Sequence, residues 1–137
     1  MTAVLAHYCM YYFKILKSFH YFCWTKNYLK EFNPQGKQGQ YLRTLLKKAQ
    51  ESNQHLVLII SPVTSDYLKA LPSPADINIF LDFVCESANQ NEVPLFNYYQ
   101  ATDFGPELFF DPHHLNWNGT QKFSKLVADE ILRPALE

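Results

Sequence analysis

The segment His55-Leu-Val-Leu-Ile-Ile60 is apolar at every position after the first and rich in β-branched residues. Side chains of a strand alternate between its two faces, so an unbroken apolar run needs cover on both. That environment belongs to an inner strand of a parallel sheet. Ser61-Pro62 ends the run. On either side of it the hydrophobic period changes from two to 3.6. Before it, Leu42, Leu45, Leu46 and Ala49 fall at i, i+3, i+4 and i+7 and predict a helix over 38–52, entered from the Pro- and Gly-bearing break at 33–39. Lys47 and Lys48 lie near its C-terminal end, where cations suit the helix dipole. After it, a loop with Pro62, Pro72 and Pro74 leads to a helix over 74–90, with Ser73 as N-cap and Ile77, Phe80, Leu81, Val84 and Ala88 as its stripe.

A second short strand is expected over 94–98, a polar loop over 99–113, and a last helix over 118–132, stopped by Pro134. Phe123, Leu126, Val127, Glu130 and Ile131 share one side of that helix. The order helix–strand–helix–strand–loop–helix predicts parallel strands joined by right-handed crossovers. The expected fold class is therefore α/β, a three-layer α/β/α sandwich with a parallel sheet. Two strands make only a partial sheet of this kind. Residues 34–137 thus read as the C-terminal portion of a larger domain, its other strands missing or supplied by a partner.

The chain of 137 residues is 47% apolar and 16% aromatic, enough for one core. Its net charge of −1 argues against a nucleic-acid partner held by a basic surface. The charge is uneven: residues 1–50 carry eight basic side chains and one acid, whereas 51–137 carry four and twelve. Residues 1–33 form an aromatic, basic segment expected to be helical, in which Tyr11, Tyr12, Phe13, Phe19, Tyr21, Phe22 and Trp24 mix with Lys14, Lys17 and Lys26. Its apolar run is shorter than the roughly 18 residues of a membrane span, and its lysines follow the run rather than precede it as in a signal peptide. The default localisation is cytoplasmic. Two roles stay open for residues 1–30, docking on the rest of the domain or peripheral contact with a membrane surface. Cys9, Cys23 and Cys85 form neither a disulfide framework nor a zinc motif, although a Cys9–Cys23 pair remains an alternative.

The chemistry concentrates in residues 109–124. Asp111 precedes His114 by three residues on a loop that opens a helix. A carboxylate so placed accepts a hydrogen bond from one imidazole nitrogen, fixes the tautomer and leaves the other nitrogen as a base. The pattern Asp111-x-x-His114-Leu-Asn116-x-x-Gly119-x-x-x-Phe123 resembles the last motif block of the SGNH (GDSL-like) hydrolases. With Phe before the Asp, it looks most like the bacterial subgroup of the DUF1574 proteins and the relatives of the D-alanyl transfer protein. The resemblance extends less specifically over 38–133. It implies a serine esterase or O-acyltransferase in which His114 is the general base and Asp111 its orienting partner. Asn116 would satisfy loop backbone groups, and Gly119 would let the helix start pack closely against the sheet. The implied substrate is a small-molecule or glycan ester.

The family's nucleophile stands in a Gly-Asp-Ser motif, which this sequence lacks, together with the oxyanion-hole Gly and the Gly-x-Asn-Asp block. The serines present are Ser18, Ser52, Ser61, Ser65, Ser73, Ser87 and Ser124. Ser61 follows a strand but does not match the nucleophile position. The chain alone is expected to be inactive, or half of a site completed by an N-terminal half or a second copy. A metal site from His113, His114, Asp111 and Asp103 is the rival reading. It is disfavoured because neighbouring side chains diverge on most backbones, so no metal and no cofactor is expected. His113 reads as a bystander, and His7, His20 and His55 have no partner pattern. A purely structural reading makes Asp111 and His114 a loop staple. The alternative function is a non-enzymatic interaction module that uses an exposed sheet edge and the N-terminal segment.

Overall fold

A computed structural model describes residues 32–71 and 74–136. The expectations for residues 1–31, including the N-terminal helix, the membrane-contact role, the Cys9–Cys23 pair, His7, His20 and Ser18, lie outside the described residues, as does the Ser73 cap. The described elements are helix α1 (Lys37–Glu51), strand β1 (Leu58–Ile60), helix α2 (Ser65–Ala70), helix α3 (Pro74–Gln90), strand β2 (Leu95–Asn97), a 3-10 turn (Pro106–Leu108), strands β3 (Phe109–Asp111) and β4 (His114–Leu115), and helix α4 (Trp117–Val127), which runs into a π-helical turn (Ala128–Leu132). The fold is mixed α/β. No described helix is long and apolar enough to cross a membrane.

The chain divides into two compact units. Of the described residues, the first holds 32–61, 70–71 and 74–98. Its β1 and β2 pair in parallel, Leu58 with Leu95, Ile59 with Phe96 and Ile60 with Asn97, as the alternation predicted. Leu46, Ala49, Leu56, Leu58, Phe83, Val84 and Ala88 form its core, with Phe32, Phe80, Val93 and Leu95 packed against it. The stripe of α1 is narrower than its spacing suggested, because Leu45 is 39% exposed while Leu46 is fully buried. Both long helices end alike. After α1, Asn53 takes a left-handed φ of 51° while Gln54 N–H donates to the Ala49 carbonyl and Asn53 N–H to that of Gln50. After α3, Glu92 (φ 54°), Val93, Ala88 and Asn89 repeat the pattern. These are Schellman endings formed without glycine.

The second unit holds residues 62–69 and 99–136. Helix α2 was not foreseen in the loop after β1. It is short, has no buried stripe, and begins where the Thr64 hydroxyl accepts the Tyr67 N–H at 3.1 Å. The expected polar loop over 99–113 contains buried Tyr99, Phe104 and Phe109 and the first strand and turn of an antiparallel hairpin. In that hairpin Phe109 pairs with Leu115 and Asp111 with His114. Phe104 meets Phe123 of α4 edge-on at 5.8 Å, and Lys122 lies over the Phe104 ring. So this unit rests on α4 packed against irregular chain, and its two strands are antiparallel where only parallel pairing was expected.

Candidate active site

The site lies within the second unit, on the turn between β3 and β4. Pro112 and His113 form the turn, which folds the chain back over the Asp111 carboxylate. Asp111 Oδ1 accepts the backbone N–H of His113 at 3.1 Å and of His114 at 2.9 Å. Its Oδ2 lies 2.7 Å from Nδ1 of His114. One carboxylate thus shapes the turn with one oxygen and orients the imidazole with the other. With the proton on Nδ1, Nε2 carries the lone pair of a base. The Asp111 side chain is 13% exposed and that of His114 is 41% exposed, so the acid is sheltered and the base reaches solvent.

The residues flanking the pair hold its frame. Asn116 Nδ2 donates to the Glu107 carbonyl at 2.7 Å and, less closely, to that of Phe109. Its Oδ1 accepts Gly119 N–H at 3.0 Å and caps α4. Gly119 packs where a Cβ would run into the Leu108 carbonyl oxygen and meet Leu115 Cδ2 at 3.0 Å. Its close approach is therefore to the 3-10 turn and β4. From the other side, Thr64 donates both its N–H and its hydroxyl to the Pro112 carbonyl, each at 2.9 Å. Thr64 was missed in the sequence. A Thr two residues before Asp66, which then falls in a helix's first turn, was the available signal.

His113 packs against the pair. Its Nδ1 lies 3.4 Å from Asp111 Oδ1, and its ring centroid is 4.0 Å from that of His114. The expected divergence of adjacent histidines fails because His113 occupies the turn and only His114 belongs to the strand. Burial, and then the neighbouring His114, lower the His113 pKa, with Asp111 opposing them. Tyr67 lies 5.7 Å from the His113 ring and meets Tyr99 edge-on at 6.4 Å. Burial raises both phenol pKa values, and the charge of Tyr67 raises that of Tyr99 further.

Asp103 is not drawn into the cluster. It faces Lys122 at 3.6 Å. Of the serines in this unit, Ser65 and Ser124 are exposed, and neither hydrogen-bonds to His114. In the other unit Ser52 and Ser61 are exposed, Ser87 is buried, and His55 is exposed ahead of β1. The described residues therefore present an oriented base with no serine bonded to it.

Among curated proteins and among solved structures, none matches the chain. The model of one uncharacterised protein family matches residues 16–135, well over half of the sequence, and the chain belongs to that family.

Proposed function

We propose that residues 34–137 are the C-terminal portion of an SGNH-hydrolase-like α/β/α sandwich, and that the chain serves ester hydrolysis or acyl transfer through Asp111 and His114. The observation that carries this reading is the 2.7 Å contact between Asp111 Oδ2 and His114 Nδ1. It is supported by Asn116, which satisfies the loop carbonyls of Glu107 and Phe109 and caps α4, as the resemblance implies for it.

In the proposed step, Nε2 of His114 takes the proton of an attacking hydroxyl as its oxygen bonds to the ester carbonyl. Asp111 stabilises the imidazolium so formed. The proton then passes to the departing alkoxide as the carbon–oxygen bond breaks. The sequence has no Gly-Asp-Ser, so the hydroxyl comes from a complementing N-terminal half. The test is hydrolysis of aryl esters and acetylated glycans, with fluorophosphonate labelling, by the chain and by its complexes. General-base catalysis is worth about 10²–10⁴ in rate, so His114→Ala should lose that much turnover. Turnover unchanged in His114→Ala, or labelling of the complex that survives replacement of every serine in both of its parts, refutes the mechanism.

One observation favours a second reading as an interaction module. Phe110 and Trp117, on either side of the Asp111–His114 turn in sequence, are 77% and 75% exposed. Association that depends on concentration and is lost in Phe110→Ser/Trp117→Ser would support it, and a monomer at high concentration would remove it.

A further inference from the structure

We propose that Asp111, His113 and His114 bind a divalent transition-metal cation of the zinc class. One donor atom from each of the three lies within 4.8 Å of the other two. Asp111 Oδ2 and His114 Nδ1 are 2.7 Å apart, and Asp111 Oδ1 and His113 Nδ1 are 3.4 Å apart. Donors about 2.0–2.1 Å from a tetrahedral ion stand about 3.3 Å from one another. The two separations, one to each oxygen of the carboxylate, lie on either side of that spacing, and the donor atoms of the two imidazoles lie within 4.8 Å of each other.

The donor chemistry selects the ion. Two imidazoles and one carboxylate suit zinc and its transition-metal neighbours, whereas calcium and magnesium prefer all-oxygen shells. Three protein ligands leave a fourth position for water, the arrangement of catalytic rather than structural zinc. The turn is already held in shape, by the two N–H groups on Asp111 Oδ1 and by Thr64 on the Pro112 carbonyl, so binding orders little new chain. The cation takes the place of the proton on His114 Nδ1, and that proton leaves to solvent. The occupied site and the Asp111–His114 base are therefore alternative states of one turn. His113 belongs only to the metal site, which keeps the two assignments separable.

The test uses the full chain, stripped with a chelator and titrated with Zn²⁺ and Co²⁺, with stoichiometry read by native mass spectrometry and affinity by competition with a chromophoric chelator. The expected result is one ion per chain, visible Co²⁺ absorption of tetrahedral intensity, and a zinc-dependent rise in Tm. His113→Ala should weaken binding by about tenfold or more and abolish the Tm rise, while leaving the circular dichroism unchanged. His55→Ala, which changes a histidine outside the cluster, should bind as the parent does. Absence of a stoichiometric ion, or parental affinity in His113→Ala, overturns the proposal. Failure of the base reading is seen separately, as unchanged turnover of chelator-treated His114→Ala.

Discussion

Replacing Asp111 by Ala and by Asn separates the two tasks of its carboxylate. In Asp111→Ala the His113 and His114 N–H groups, held at 3.1 and 2.9 Å, lose their acceptor, and His114 Nδ1 loses its partner. An unsatisfied buried donor costs about 1–3 kcal/mol. Water reaches part of this turn, so the two amides together are worth about 2–4 kcal/mol by the same scale. In Asp111→Asn the amide oxygen can occupy the Oδ1 position and keep both N–H bonds. The amide NH₂ then faces His114 Nδ1. Two donors cannot share that contact, so the ring proton moves to Nε2 and the lone pair turns inward. The Asn variant should lose only about 1 kcal/mol, the difference between a charge-assisted bond and a neutral one. Urea unfolding followed by circular dichroism measures the stabilities, and nitrogen NMR of the imidazole reports the tautomer. Equal stability losses in the two variants, or an Nδ1–H tautomer that persists in Asp111→Asn, would show that the carboxylate does not organise the turn in this way.

Gly119→Ala drives a methyl against the Leu108 carbonyl oxygen, a backbone atom that also accepts Asn116 N–H at 2.9 Å and has little freedom to yield. Overpacking of this kind costs about 1–3 kcal/mol, visible as a lowered Tm, and an unchanged Tm would mean the helix start is looser than described. Burial raises the pKa of Tyr67 and Tyr99 above the ordinary 10.0, so the unfolded chain gives up these protons first as pH rises. Their contribution to stability is complete below pH 10 and is lost as pH climbs through the folded values. Tyrosinate absorbance that appears together with unfolding, and a shallower alkaline fall in Tyr67→Phe/Tyr99→Phe, are expected. Titration of both phenols near their ordinary value in the folded protein would contradict this.

Periodicity made the long helices and the parallel pairing of the two apolar strands legible, because burial on one face writes itself into spacing. Residues 99–115 carry no such signal. Strands of three and two residues are too short to show alternation, so Phe104 and Phe109 gave no sign that they are buried. The helix ends were equally silent, since Asn53 and Glu92 adopt left-handed backbone where glycine is the usual mark. The Asp111–His114 contact was readable because a separation of three residues on a turn leaves few alternatives. The place of His113 was not. The argument from diverging neighbours holds along a regular strand, and Pro112 puts His113 outside one.

Thr64 and Pro112 are 48 residues apart in sequence, yet one side chain and one carbonyl join them. The Asp/His hairpin is local, but its outer face is finished only when a distant segment arrives, after a long loop has closed. An opening that frees Thr64 would release the hairpin from outside while leaving every bond inside it intact. A conservative change such as Thr64→Val, far upstream in the sequence, should register in hydrogen exchange at the His113 and His114 amides.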